Sequence, residues 1–304
     1  MSNAIVLGAG MVGSVMAADL AADPNLSVSI ADVSERNLGS AVERAARADA
    51  VVRGIRADLS KPEAIRELVA PFDLVLGSLP SVLGFAALRA VIEAGKSYCD
   101  ISFMPEDALD LDALAKERGV TCVVDCGVAP GMSNMIAGFE AGRMERCERI
   151  GIYVGGLPRE RRWPFQYKAA FAPSDVIEEY TRPSRVVRHG KLTVLDALSE
   201  PELMDFAGVG TLEAVITDGL RSLARTMPGV PNMEEKTLRY PGHYALMRVF
   251  RATGLFGKEP IDVRGASVSP LDVVSALMFP KWTYEPGEED LTVMRVIVEG
   301  VRAG

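Results

Sequence analysis

Residues 4–13 read AIVLGAGMVG, four apolar residues followed by glycines at 8, 10 and 13. A short apolar run that ends in glycines and passes into the helical pattern of residues 12–22 has the G-x-G-x-x-G spacing of a dinucleotide-binding turn. Each glycine has its own reason in that setting. Gly8 permits the tight turn out of the strand, Gly10 lets backbone approach a pyrophosphate, and Gly13 lets the helix pack closely on the strand. Met11 and Val12 then open the helix, whose free N–H groups and partial positive charge suit a phosphate. The spacing alone is common; its place between a strand and a helix makes it informative.

Working outward, Asp32 lies 19 residues beyond Gly13, at the end of the second strand pattern. A carboxylate there accepts both ribose hydroxyls and repels the additional phosphate of NADP, so NAD is expected rather than NADP. Arg36 lies close enough to leave NADP as the alternative. Asp58 closes the third strand pattern and either faces the adenine or caps the helix that follows. Ser78-Leu79-Pro80 ends the fourth strand pattern at the sheet's carboxyl edge, where the cofactor's nicotinamide half is expected to cross.

The same texture repeats to about residue 125. Strand patterns at 4–7, 28–31, 51–56, 73–76, 97–99 and 120–124 alternate with helical periods at 12–22, 35–48, 61–69, 83–94 and 106–118. Such alternation implies right-handed crossovers and a parallel sheet covered on both faces. The expected fold is α/β, with an N-terminal doubly wound Rossmann sheet over residues 1–145. After Gly127 the periodicity changes. Residues 150–155 and 291–301 read as strands, 185–194 as a hairpin around His189-Gly190, and 267–280 as apolar and mixed. Residues 146–304 are therefore expected to form a second α+β domain.

Hydrophobic residues make up 48% and charged residues 24% of the 304, which is the composition of a globular protein. A net charge of −8 without any Lys/Arg run argues against a nucleic-acid partner. No window reaches the roughly 18 apolar residues of a membrane span. The opening MSNAIVLGAG runs directly into a strand, without the pattern of a secretory signal, so a cytoplasmic location is expected. Cys99, Cys122, Cys126 and Cys147 lack C-x-x-C spacing and are expected to be buried free thiols; no metal site is evident.

Residues 125–134, DCGVAPGMSN, resemble the G-x-A-P-G-x-S-N segment of lysine 6-dehydrogenases within the saccharopine dehydrogenase family. Saccharopine reductases carry an acidic residue before the Pro-Gly and an Asp-His after it, where this chain has Ala129, Ser133 and Asn134. The resemblance continues through GGLP at 155–158, FQYKAAFAPSDVIEEYTRPSRVVRHGKL at 165–192, VGTLEAVITDGLRSL at 209–223 and EKTLRYPGHYALM at 235–247. It implies a second domain used for substrate binding and a homodimer. Relatives of this kind also run some dozens of residues past Arg302-Ala303-Gly304, so the second domain is expected to be incomplete.

The activity implied is NAD-dependent oxidative deamination of the side-chain amine of L-lysine. That reaction needs a cation for the substrate's α-carboxylate and a base for its amine. Arg239, in TLRYPGH, is the first candidate for the cation because its planar fork binds a carboxylate with two parallel bonds; Arg221 is the second. His243 is the candidate base, since its pKa lies near neutrality and a helical turn would put it on one face with Arg239. His189 sits in an exposed turn. Lys168, in QYKAAF, is the alternative base, where burial near Arg239 would lower its pKa. Ser133 and Asn134 open a helix where substrate is expected, Tyr240 packs against an aliphatic substrate chain, and Glu213 or Asp218 accepts the α-ammonium. Alternatives are a saccharopine- or carboxynorspermidine-type dehydrogenase, or a relative that binds NAD without catalysis.

Overall fold

The computed structural model describes residues 2–302 and divides into two compact units, the first ending at Gly131 and the second beginning at Met132. In the first, β1 (Ser2–Leu7), α1 (Met11–Leu20), β2 (Leu26–Asp32), α2 (Glu35–Arg47), β3 (Val52–Arg56), α3 (Pro62–Val69), β4 (Leu74–Gly77), α4 (Ser81–Glu93), β5 (Ser97–Asp100), α5 (Asp112–Arg118) and β6 (Cys122–Val123) alternate. The strands are all parallel, in the order β3-β2-β1-β4-β5-β6. That is the doubly wound Rossmann sheet, with its order reversing between β1 and β4. Ile5, Leu7, Val75 and Tyr98 face one covering layer, and Val6, Val28 and Ile30 face the other. Burial on both faces is why these strands read as continuous apolar runs.

The second unit contains α6 (Met132–Ala141), β7 (Met144–Pro158), α7 (Pro173–Thr181), β8 (Ser184–Arg188), β9 (Lys191–Leu195), β10 (Glu202–Phe206), β11 (Gly210–Ile216), α8 (Leu223–Thr226), β12 (Asn232–Arg239), α9 (His243–Ala252), β13 (Ile261–Val263), β14 (Ala266–Val268), α10 (Pro270–Trp282) and β15 (Asp290–Arg302). Its main sheet runs β10-β11-β12-β7-β15, with β8 joining β12 and β9 joining β8. Only the β12–β7 pair is parallel; the others are antiparallel. The expected hairpin is present. His189 and Gly190 both take positive φ at its tip, 51° and 74°, the conformation a two-residue turn with the right twist requires.

β12 is the strand the sequence conceals. Residues 232–239, NMEEKTLR, carry charges on both faces, yet β12 is nearly all buried. Period-two alternation sends Met233, Glu235, Thr237 and Arg239 to one face and Glu234, Lys236 and Leu238 to the other. Glu234 accepts hydrogen bonds from Arg149 at 2.9 Å and Arg188 at 2.7 Å, and Lys236 pairs with Glu202 at 2.7 Å. The charges are buried because neighbouring elements satisfy them.

The thiols depart from expectation in one respect. All four are free of disulfides, but Cys99, Cys122 and Cys147 are only half-buried and Cys126, just beyond the two-residue edge strand β6, is exposed.

Candidate functional site

The carboxyl edge of the Rossmann sheet presents the glycine turn as the spacing predicts. Gly8 has φ +101°, and a Cβ there would stand 2.4 Å from the Ser78 carbonyl oxygen. A Cβ on Gly13 would stand 1.9 Å from the Gly8 carbonyl oxygen, so α1 lies against the turn as only glycine allows. A Cβ on Gly10 would meet nothing within 4 Å, which leaves open space at the N-terminus of α1. Ser78, Leu79 and Pro80 come to the same place: the Ser78 amide donates to the Leu7 carbonyl at 2.8 Å, Leu79 is buried against the turn, and Pro80 precedes α4. Met11 and Val12 are exposed at the start of α1. Open space beside a helix N-terminus, with its free N–H groups, is the setting that suits a phosphate.

Asp32 ends β2 with its carboxylate directed at this turn. Oδ2 accepts from the Ala9 amide at 2.8 Å and Oδ1 from the Ser34 amide at 2.7 Å. Two bonds leave lone pairs for ribose hydroxyls. Asp58 is engaged differently. It accepts from the Ser60 amide at 3.1 Å and hydroxyl at 2.6 Å and pairs with Lys61 at 3.0 Å, which holds its carboxyl down at about 2. Those partners belong to the turn into α3. At the end of β5 the sequence reading missed Asp100, which is fully buried; it accepts from the Ser102 amide and hydroxyl, and burial pushes its carboxyl up to about 6.

In the second unit, Arg239 and His243 are brought together, but not on a helical turn. Arg239 is the last residue of β12 and His243 the first of α9, with the Tyr240-Pro241-Gly242 turn between them. The helical expectation failed because Gly242, at φ +99°, reverses the chain immediately before α9. Tyr180 of α7 joins the two. Arg239 Nε donates to the Tyr180 hydroxyl at 3.3 Å, and that hydroxyl lies 2.9 Å from His243 Nε2. His243 Nδ1 lies 2.9 Å from the Phe165 carbonyl oxygen. A carbonyl only accepts, so Nδ1 carries the proton; burial and then Arg239 lower the imidazole to about 3, so Nε2 is bare and accepts from Tyr180. The chain of bonds runs one way, from Arg239 through Tyr180 and His243 to Phe165.

Arg239 is buried, and its fork is taken. Nη2 donates to Glu179 at 2.9 Å, Nη1 to its own strand at Leu238, and the guanidinium lies 4.5 Å from the centre of the Tyr167 ring. Burial pushes the Glu179 carboxyl up, with Arg239 opposing that rise. Tyr240 donates its hydroxyl to the Pro158 carbonyl at 3.0 Å. Lys168 donates to the Thr283 carbonyl at 2.9 Å and to Glu288, the geometry of an anchored cation. Ser133, buried on α6, donates to Asn134 at 3.1 Å. Asp218 is held by Arg185 at 2.6 Å and Arg221 at 3.5 Å, Glu213 lies 3.6 Å from Arg248, and His189 is exposed. None of these joins the Arg239–Tyr180–His243 chain. Among the described residues no group of three or more His, Cys, Asp or Glu could hold a metal, and no helix is long and apolar enough to cross a membrane.

Sequence reading also missed Glu235, beside this chain on the same face of β12. It is bonded to the Thr217 hydroxyl, and glycine at 219 leaves room for its carboxyl. Burial pushes it up to about 8, with Glu179 and Asp218 adding to the rise. The folded protein therefore keeps this proton to about pH 8, whereas an unfolded glutamate releases it near 4.5. Stability held in this group is fully present below pH 4.5 and is lost as pH rises to about 8, by up to about 1.4 kcal/mol per pH unit. Glu235→Gln is expected to flatten that slope. Urea unfolding at pH 6 and pH 8 checks it, and an unchanged slope would refute the protonated carboxyl.

Comparison with known proteins covers both units. Residues 4–123 match the saccharopine dehydrogenase NADP binding domain and residues 127–304 the saccharopine dehydrogenase C-terminal domain. The chain is 22% identical over 290 residues to the mitochondrial alpha-aminoadipic semialdehyde synthase of Mus musculus, covering 88% of this chain and 30% of that protein. It is 25% identical over 324 residues to saccharopine dehydrogenase [NADP(+), L-glutamate-forming] of Pyricularia oryzae, covering 96% and 69%. The chain thus spans less than a third of the length of the mouse synthase. The apo saccharopine dehydrogenase (L-Glu forming) of Saccharomyces cerevisiae shares the fold, with TM-score 0.73 at 17% identity over 97% of this chain and 80% of that one.

Proposed function

The chain belongs to the saccharopine dehydrogenase family, and from that premise we propose that it is an NAD-dependent dehydrogenase acting on the side-chain amine of L-lysine. The observation that carries the cofactor part is Asp32, whose carboxylate faces the glycine turn while retaining lone pairs for a ribose. A second phosphate placed there would meet a fixed negative charge. NAD, when bound, supplies the hydride acceptor. The chain's own residues hold the pyrophosphate at Gly8–Gly13 and orient the ribose.

Support for lysine comes from Ala129, Ser133 and Asn134, where saccharopine reductases carry ionisable residues. A homodimer through the second unit is part of the same reading. Arg239 and His243, both buried, belong in it to the bonded chain through Tyr180 that ties α7 to the end of β12 and the start of α9. The second reading, a saccharopine-type dehydrogenase, is favoured by the names of the curated relatives, which are saccharopine dehydrogenases and aminoadipic semialdehyde synthases.

The test is formation of reduced nicotinamide from NAD and NADP with L-lysine, saccharopine and carboxynorspermidine as substrates. Reduction of NAD with L-lysine and release of ammonia is the expected result. Faster turnover of saccharopine would transfer the assignment to the second reading, and cofactor binding without turnover would remove catalysis altogether. Asp32→Ala is expected to weaken NAD by about 10- to 100-fold, the scale of lost hydrogen bonds to a charged acceptor, and to narrow its advantage over NADP. Titration of both cofactors measures this, and an unchanged preference would contradict the ribose role.

A further inference from the structure

With the Arg239 fork closed on Glu179, a substrate carboxylate needs another cation, and the second unit supplies few that are not already paired. Arg159 is on Glu289 at 3.0 Å, Arg162 on Glu160 and Glu288, each at 2.7 Å, and Lys168 on Glu288. Arg161, between those two arginines, differs from them. Among the described residues it has no carboxylate partner. Its Nε donates to Gln166 Oε1 at 3.1 Å, and its guanidinium lies 4.3 Å from the centre of the Tyr240 ring. The ring is itself fixed, through the Tyr240 hydroxyl on the Pro158 carbonyl at the end of β7. The Gln166 amide donates to the Arg162 carbonyl at 2.8 Å and so closes the loop of residues 162–166, which begins immediately after Arg161.

The geometry points to Arg161 as the residue that receives the α-carboxylate of an amino-acid substrate, an assignment that rests on the amino-acid dehydrogenase reading above. Nε is used, so the Nη1 and Nη2 edge remains, an end-on fork that meets two carboxylate oxygens with parallel hydrogen bonds. Stacking on Tyr240 and the bond to Gln166 hold the fork in one orientation, which removes much of the side-chain entropy that binding would otherwise cost. Arg161 is exposed, so a ligand reaches it, and it carries a full charge with no internal carboxylate to displace. Trp163, 89% exposed in the same closed loop, adds an apolar surface two residues away, suited to the methylene chain that such an amino acid bears.

The test compares two substrates in one enzyme: L-lysine, and the diamine that has lysine's chain and amine without its carboxylate. Arg161→Ala is expected to raise the KM for L-lysine about 10- to 100-fold, the scale of a charge-assisted hydrogen-bond pair. The KM for the diamine should not move. Arg161→Lys should recover part of the loss, because the charge remains without the fork. An unfolding midpoint equal to wild type checks that neither substitution disturbs the fold. A KM for lysine that does not rise, or that rises equally for the diamine, overturns the assignment while leaving the dehydrogenase reading in place. Wild-type protein that turns over neither substrate removes that reading, and the assignment with it.

Discussion

Arg239→Ala is expected to destabilise the second unit by about 3–5 kcal/mol, the cost of removing one partner of a buried ion pair. The loss has two parts. Glu179 keeps its place among buried groups without the guanidinium that opposes its rise, and Tyr180 loses the donor that completes its bonds to Arg239 and His243. The Tyr167 ring also loses its cation. Glu179→Gln combined with Arg239→Met should be milder than Arg239→Ala, since no charge is then left unpaired. Urea unfolding of the two variants measures this directly, and cofactor affinity should be unchanged in both. A wild-type unfolding midpoint in Arg239→Ala, together with a raised KM for the amino acid, would mean that the guanidinium serves substrate after all.

Substitution at the glycine turn separates packing from ligand contact. Gly13→Ala is expected to abolish measurable cofactor binding and to lower stability, because the new Cβ would fall 1.9 Å from the Gly8 carbonyl oxygen and α1 must move away from the turn. Backbone cannot yield as a flexible side chain can, and a displaced helix takes its phosphate-binding N–H groups with it. Gly10→Ala meets no protein atom, so stability should stay within about 0.5 kcal/mol of wild type. Its cofactor affinity should nevertheless fall about tenfold or more, because the methyl group occupies the space assigned to the pyrophosphate. Calorimetric titration and thermal unfolding of both variants decide the matter. Wild-type affinity in Gly10→Ala would place the pyrophosphate elsewhere.

The sequence alone determined the first unit, because there the physics is local. A parallel strand buried on both faces must be an apolar run, the helix between two such strands shows its own period, and the glycines at 8 and 13 are required by backbone geometry within a few residues of one another. Asp32 could be read for the same reason: its partners, Ala9 and Ser34, lie on the turns that end β1 and β2. The family was legible as well, from motifs that no general rule of folding demands. In the second unit local patterns misled. EEKTLR looks like an exposed or helical segment, since nothing within the segment accounts for burying its charges. They are buried in β12 because Arg149, Arg188, Glu202 and Glu179, distant in sequence, come to meet them. The same long-range pairing decided the fate of the candidate residues. Arg239 and His243 were read as neighbours on a helical turn, but only tertiary structure could show that they meet through Tyr180, with Glu179 on the guanidinium and the Phe165 carbonyl on the imidazole. It also showed that Arg161, one arginine among several in RERRW, is the one held in place without a carboxylate from the described residues. A residue's chemical type is written in the sequence; whether its charge is already spoken for depends on which distant groups folding brings within about 3 Å.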